Sequence, residues 1–265
     1  MKKLLPLLLI NSLYGHDLYL MPQKFRPAPG ERILLSAHTG DTFPGSEQGV
    51  DPARLTSIPA MPSEQWRILG KATHATVNTQ PGSQYFGVYT KARFIEMVPA
   101  KFVAYLKEEG LNKQLEAAKS STSNSREMYT KFAKTYVVAG QPTAIFNQPL
   151  GLKIEIVPLA DPAVLKPGST LPVQLLYNGK PLADVQMEIA TSTKPTVKAT
   201  LKIAGRTNAE GKLDILIENP GKIRLHAVTM DRVNATTHDW ESFWASLTFE
   251  VLSGASTQSS NLTNR

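Results

Sequence analysis

Proline and glycine divide this chain into short segments, and that punctuation limits the folds open to it. The sequence contains 19 prolines and 17 glycines among its 265 residues. Short runs rich in β-forming residues, such as residues 32–38, 85–89 and 223–228, are bounded by turn-forming residues. Such spacing is typical of an all-β protein, so we expect mainly β structure.

Two segments depart from this pattern. Residues 100–119 place Phe102 and other apolar side chains at mostly helical spacing, and residues 126–136 place Phe132 and Tyr136 on one side of a helix. We therefore predict a helical insertion over about residues 99–136. We favour an insertion that covers one sheet face over a membrane-binding element.

The second half of the chain carries the stronger β signals. Asn178-Gly179 is a tight hairpin signal between two strand-like runs. We predict two β-sandwich domains, the first over residues 16–157 with the helical insertion, and the second, immunoglobulin-like, over residues 163–252. The proline-rich residues between them mark the boundary, and the Ser/Thr/Asn-rich residues 253–265 predict a disordered tail.

The first residues resemble a secretory signal. Lys2 and Lys3 precede an apolar run over residues 4–13, and Gly15 is small enough to precede a signal peptidase cut. The run is shorter than the roughly 20 apolar residues that span a bilayer. We therefore predict a signal peptide over residues 1–15 and a soluble, exported, periplasmic protein with no transmembrane segment after cleavage.

Charge and cysteine content exclude several classes of function. The chain has no cysteine, so it can form neither a disulfide nor a thiolate metal site. Its net charge of +7 falls to +5 when Lys2 and Lys3 leave with the signal. The basic residues are dispersed, which favours a solubility role and argues against nucleic-acid binding.

Cleavage after Gly15 would leave His16 as the first residue. Its α-amino group and imidazole would then lie on one residue and close one chelate ring on a metal ion. Asp17 follows directly and adds a carboxylate. Such ligands suit Cu(II) or Ni(II). The alternative is that the signal is cut elsewhere, or that His16 only begins a strand.

Three further histidines are candidate ligands. His38 ends a predicted strand, His226 alternates with Arg224 on one strand face, and His238 lies beside acidic residues in a polar loop. No local histidine pair forms a specific metal motif, so a site has to be assembled across strands. Each histidine has a simpler alternative, as a packed strand residue or as part of a solvated loop. His74 has no acidic neighbour and ranks last.

Catalytic arrangements are weak, and we predict that the protein is not an enzyme. The sequence has no G-x-S-x-G elbow and no cysteine nucleophile. The adjacent carboxylates Glu108 and Glu109 are expected on a solvated helix surface.

Trp240 and Trp244 share a strand face and are expected in the core, with Phe243 on the opposite face.

Several segments agree in order with one family. Residues 16–22, 25–30, 105–111, 126–134, 151–158 and 239–249 resemble the DUF4198 family of exported bacterial proteins. The phrase Lys180-Pro-Leu-Ala-Asp-Val185 and the turns after it resemble a prealbumin-like or carboxypeptidase-regulatory-like β-sandwich. DUF4198 members are often labelled as nickel- or cobalt-uptake components. The resemblance implies a periplasmic metal-handling role, as a soluble accessory to a nickel or cobalt permease complex in the inner membrane.

Three hypotheses follow. The first is a metal-binding accessory for nickel or cobalt uptake, with candidate ligands His16, Asp17, His38, His226 and His238. The second is a copper-dependent oxygenase that holds its metal through an N-terminal histidine, which needs a second histidine facing His16. The third is a non-catalytic structural or adhesion module of the cell envelope.

Overall fold

Three β-sheets build the protein in the computed structural model, which describes residues 17–41, 43–194 and 199–253. The strands are β1 (Leu18–Pro22), β2 (Arg32–Thr39), β3 (Leu55–Ile58), β4 (Arg67–Leu69), β5 (Ala72–Asn78), β6 (Gly82–Thr90), β7 (Arg93–Met97), β8 (Ser125–Ala139), β9 (Ile154–Pro158), β10 (Ser169–Tyr177), β11 (Lys180–Pro181), β12 (Gln186–Ser192), β13 (Lys202–Arg206), β14 (Lys212–Ile217), β15 (Gly221–Arg232) and β16 (Trp240–Val251). The helices are α1 (Pro99–Glu108) and α2 (Asn112–Ala118).

The central sheet joins the two halves of the chain. Its order is β13-β12-β15-β16-β8-β6-β3, and β7 also pairs with β8. The strands β16 and β8 pair in parallel, whereas β15 and β16 form a long antiparallel hairpin. A first sheet has the order β1-β2-β5-β4, and a third contains β11-β10-β14 with β9 beside β10. Strands from both sides of the predicted boundary therefore share one sheet.

Each face of the central sheet forms a separate hydrophobic core. Leu247 and Phe249 face the third sheet, together with Val173 of β10. On the opposite face, Val137 of β8 packs with residues of the first sheet. Farther along that face, Phe102 of α1 packs with the tryptophans of β16. The two helices thus cover the part of the central sheet that the first sheet leaves free.

The predicted helix over residues 126–136 is wrong, because this segment is part of strand β8 (Ser125–Ala139). In the strand, Phe132 and Tyr136 face the third sheet, whereas Tyr129 packs beside the helices. A strand buried on both faces carries apolar residues without a period of two, so its spacing imitates a helix.

The expectation of a mainly β protein built from β-sandwich packing is confirmed. Trp240 and Trp244 are buried on one face and Phe243 on the other, as predicted. The predicted signal peptide, His16 and residues 254–265 of the predicted tail lie outside the described residues. In the part of the chain that is described, no helix has the length and apolarity needed to cross a bilayer.

Candidate functional site

The chain around Asp17 is held tightly against the central sheet. The Asp17 carbonyl oxygen accepts a hydrogen bond from the Gly40 N–H at 3.0 Å. The hydroxyls of Ser246 and Thr248 on β16 donate to carbonyl oxygens of β1 at 2.7 and 2.6 Å. The Asp17 residue is only 5% exposed. The residue that follows His16 is therefore fixed in the interior.

The Asp17 carboxylate has a buried cationic partner. Arg224 of β15 is 0% exposed, and its guanidinium donates to Asp17 Oδ2. The guanidinium carbon lies 4.7 Å from the centre of the Tyr19 ring, a cation–π distance. Burial lowers the pKa of Arg224 to about 9, so the guanidinium stays charged at neutral pH. Each of the two residues compensates the buried charge of the other, and neither charge could be buried alone.

His226 lies beside this pair, between two carboxylates. It is 2% exposed, with Nδ1 2.7 Å from Asp17 Oδ2 and Nε2 3.1 Å from Glu109 Oε2. Nδ1 lies close to the Asp17 oxygen but forms no hydrogen bond with any of the described residues. When the ring is neutral and Nε2 donates to Glu109, Nδ1 keeps a lone pair for a ligand.

Strand register and the helices bring more carboxylates to the same place. Glu188 of β12 lies directly opposite His226 in the central sheet. Together with Glu108, Glu109 and the loop residue Asp41, it lines a cleft of about 310 Å³. The complete lining is Asp17, Asp41, Glu108, Glu109, Glu188, Thr200, Leu201, Arg224, His226 and Trp244. We call this the acidic cleft, because five carboxylates face one guanidinium in it.

Burial is the main cause of two raised pKa values in the acidic cleft, and neighbouring carboxylates add to it. Burial raises the pKa of Glu108, and the nearby carboxylates Glu109 and Asp41 raise it further. Burial also raises the pKa of Glu188, with Glu109 again contributing. Both shifts have the direction expected when a carboxylate is moved out of water and placed near other carboxylates.

Polar contacts hold the α1–α2 hairpin over the cleft. Gln186 Nε2 donates to the Glu108 carbonyl oxygen, and Arg206 donates to the Gly110 carbonyl oxygen, both at 3.0 Å. Gly110 has φ +63°, and an added Cβ would lie only 2.5 Å from the Gln186 side-chain oxygen. A glycine is therefore needed where the hairpin turns, immediately after Glu109.

The predicted ligands separate into different places. Asp17 and His226 meet, whereas His38 packs against Tyr19 with ring centroids 5.3 Å apart. Burial lowers the pKa of His38 to about 4, so the ring is neutral. His238 lies in the loop before β16, away from the acidic cleft, and its Nε2 is 3.2 Å from Glu241 of that strand.

Within residues 17–41, 43–194 and 199–253, no group of three or more His, Asp or Glu side chains is arranged to hold a metal ion. His226 illustrates the reason, because its two nitrogens face two different carboxylates, those of Asp17 and Glu109. The described residues alone therefore bring two predicted donors together, Asp17 and His226.

Sequence reasoning missed important parts of the cleft. Glu109 was expected on a solvated surface, but it contacts His226, and that expectation is wrong. Glu188 gave no signal, because its position opposite His226 depends on strand register. Arg224 did give a signal in the sequence, because an Arg-x-His pair within an otherwise apolar strand indicates polar groups that are buried and paired.

A family model matches most of this chain. The model of DUF4198, a domain of unknown function, matches residues 13–231. The chain belongs to the DUF4198 family. The match includes Asp17, Glu109, Glu188, Arg224 and His226, so all these cleft residues lie inside the DUF4198 domain.

Comparisons with other proteins add little to the family assignment. No curated protein matches the sequence. The D0–D1 domain of intimin is 12% identical, with coverage of 89% of this chain and 99% of that chain and a TM-score of 0.21. A mutant Salmonella alpha-2-macroglobulin is 9% identical, with coverage of 90% and 16% and a TM-score of 0.22. Three N-terminal domains of the bacteriophage RB49 outer capsid protein Hoc are 11% identical, with coverage of 89% and 99% and a TM-score of 0.22.

Proposed function

We propose that this DUF4198 protein is an exported, periplasmic metal-binding accessory that carries nickel or cobalt for an uptake permease. The ion is its cargo, held by the amino group and imidazole of an N-terminal His16 together with Asp17 and His226. One observation carries the proposal: the residue directly after His16 is buried in the acidic cleft, with its carboxylate 2.7 Å from a histidine nitrogen.

The donor set fits a transition metal. Bonds from such ions to imidazole nitrogen and carboxylate oxygen are about 2.0–2.2 Å long, so two ligand atoms 2.7 Å apart are compatible with one shared ion. Adjacent α-carbons are about 3.8 Å apart, which keeps His16 close to Asp17. His16 would add two nitrogens to the two donors that the structure brings together. Nitrogen-rich sets with one carboxylate suit Ni(II), Co(II) and Cu(II).

The surroundings of the cleft support binding of a cation. Glu109 faces the second nitrogen of His226 at 3.1 Å and would fix the ring orientation, as carboxylates commonly do behind metal-binding imidazoles. Arg224 holds Asp17 in place from the other side. The surplus of carboxylates in the cleft would offset the charge of a divalent ion.

We propose transport rather than catalysis, with the ion passed to a membrane permease. The partner is proposed from membership of the DUF4198 family, because the resemblance implies a role in nickel or cobalt uptake. A structural module of the cell envelope is the competing function. It predicts no metal binding at this cleft.

The test begins with the N-terminal sequence of the exported protein, which we expect to start at His16. The mature protein is then titrated calorimetrically with Ni²⁺, Co²⁺ and Cu²⁺. We expect one ion per chain, and at least tenfold weaker binding for His226→Gln. His238→Gln is the matched control, because His238 contacts Glu241 of β16 and does not line the acidic cleft.

The outcomes separate the hypotheses. If none of the three ions binds, the structural module is favoured and the metal proposal is refuted. If only Cu²⁺ binds, the site stands but the assignment to nickel or cobalt uptake fails. If His226→Gln and His238→Gln weaken binding equally, the ligand assignment is wrong. Circular dichroism of each variant establishes that it remains folded.

A further inference from the structure

We infer that the outer face of the first sheet, with the β4–β5 hairpin at its edge, docks on a membrane surface that carries anionic lipid headgroups. This docking face combines exposed apolar side chains with cations, namely Leu34, Ile68, Leu69, Arg32, Arg67 and Lys71. The inference goes beyond the proposed function, because it needs no metal ion and uses none of the residues that line the acidic cleft.

Strand register places four of these side chains on one face of the sheet. Leu34 of β2 and Leu69 of β4 lie opposite two residues of β5 that are four positions apart, so both leucines share a face. Arg32 and Arg67 each precede one of these leucines by two positions and therefore lie on the same face. The neighbouring Leu35 is buried against the central sheet, which makes this face the outer one.

The β4–β5 hairpin presents apolar side chains at a projecting turn. Leu69 is 61% exposed, Ile68 50% and Leu34 36%. Gly70 begins the turn with φ +61°, and a Cβ added there would meet no atom within 4 Å. Apolar side chains on a projecting turn can enter the boundary between headgroups and acyl chains without any rearrangement of the fold.

The fixed charge of this sheet is entirely positive. The four strands and the β4–β5 turn contain no Asp or Glu, but they contain Arg32, Arg67 and Lys71. None of the three cations forms an ion pair with a residue that the structure describes. Glu64 lies just before β4, but its carboxylate accepts a hydrogen bond from Ser63, and Arg67 donates to its backbone carbonyl oxygen. Lipid phosphates would supply the anionic partners for these cations.

The mixture of charge and apolar surface favours a lipid surface over other occupants. A second copy of the chain would bring two sets of three cations together, and like charges repel. An acidic protein would pair with the cations but would also need an apolar recess for Leu69. A bilayer takes both, because Leu69 enters the acyl boundary while the long stems of Arg67 and Lys71 carry their charges to the headgroups.

The hairpin turn and the acidic cleft lie at the same end of the first sheet. Leu18, which follows Asp17, pairs with Thr39 of β2, and Ala37 of β2 pairs with Thr73 near the start of β5. The strands β1 and β4 are three strand spacings apart, or about 14 Å. A protein docked through the turn would therefore hold the Asp17 end of the sheet towards the membrane.

The experiment is cosedimentation of the mature protein with lipid vesicles. One set contains phosphatidylcholine alone, and in the other about 30% of the lipid is phosphatidylglycerol, which is anionic. We expect wild type to bind the anionic vesicles more tightly. Arg67→Gln/Lys71→Gln should bind them roughly 25-fold more weakly, because each cation near an anionic surface contributes about fivefold. Lys166→Gln/Lys212→Gln is the matched control, since it removes the same charge from exposed residues outside the docking face.

A second variant tests insertion of the turn. Leu69→Ser should bind the anionic vesicles at least roughly threefold more weakly, and this loss should persist when NaCl screens the charges. Ile203→Ser is its matched control, because Ile203 is 67% exposed on β13 and lies outside the docking face. Circular dichroism establishes that each variant remains folded.

The outcomes separate the occupants of this face. Equal binding of wild type to the two kinds of vesicle, or equal losses in a variant and its control, would overturn the inference. Binding to polyglutamate but to neither vesicle would assign the face to an acidic protein, and a dimer abolished by Leu69→Ser would assign it to a second copy; both results would overturn the inference. Because no metal is added, failure here leaves the proposed function to its own titrations.

Discussion

Removal of the Arg224 guanidinium should destabilise the protein more than any surface ion-pair variant. In Arg224→Met, the Asp17 carboxylate stays 5% exposed but loses its cationic partner. Breaking a buried pair in this way costs about 3–5 kcal/mol, because an uncompensated charge remains inside. At about 2–4 °C per kcal/mol for a chain of this size, the melting temperature should fall by roughly 6–20 °C.

The matched control is the same substitution at an exposed pair. Arg126 also contacts an aspartate, Asp239, at 2.8 Å, but both side chains are more than a third exposed. Such surface pairs contribute about 0–1 kcal/mol, so Arg126→Met should change stability by no more than that. Comparison of the two variants separates the effect of burial from that of losing an arginine.

The assay is urea unfolding followed by circular dichroism, completed by a double-mutant cycle with Asp17→Asn. If the buried pair is responsible, Asp17→Asn/Arg224→Met should be more stable than the sum of the single effects predicts. The interaction energy should lie towards the upper end of the usual range of about 0.5–3 kcal/mol. Additive effects, or a loss below about 1 kcal/mol for Arg224→Met, would refute the reasoning.

Three further predictions concern the surrounding structure. Burial raises the pKa of Glu127 from 4.5 to about 7, so the neutral carboxyl stabilises the fold fully below pH 4.5 and this stabilisation is lost as the pH rises through 7. Relative to wild type, Glu127→Gln should therefore gain about 1.4 kcal/mol of stability for each pH unit within that window. Urea unfolding of both proteins at several pH values measures this difference. Gly110→Ala should lower thermal stability more than Gly151→Ala, because both glycines have positive φ but only the first Cβ meets a neighbour, Gln186; equal losses would contradict this account. Thr248→Val removes a hydroxyl that donates to a β1 carbonyl at 2.6 Å and should cost about 1 kcal/mol in urea unfolding, with a loss near zero as the contrary result.

The sequence predicted the fold best where a turn signal lies between two runs of alternating apolar and polar residues. Asn178 and Gly179 have positive φ and join β10 to β11, as the hairpin signal predicted. The failure at β8 has a physical cause, because a strand covered on both faces loses the alternation that identifies strands. Buried polar residues of β8 also resembled the polar side of a helix. Lys134 is one of them, and it is paired with Glu155 of β9.

The candidate site could be predicted only in part. Asp17 and His226 were both named from the sequence, and the structure places them in contact although 209 positions separate their numbers. Their partners Glu109 and Glu188 come from a helix end and a neighbouring strand. Contacts of this kind depend on register and on how the helices sit on the sheet, which short-range patterns do not contain.

The most direct test of the central claim compares two mature proteins that differ only before His16. One begins at His16, and the other carries a single additional glycine in front of it, which moves the α-amino group off the histidine and leaves every side chain in place. Calorimetric titration with Ni²⁺ and Co²⁺ should show one tight site per chain in the first protein and binding at least tenfold weaker in the second. Equal affinity in both proteins would contradict a site built on the N-terminal histidine.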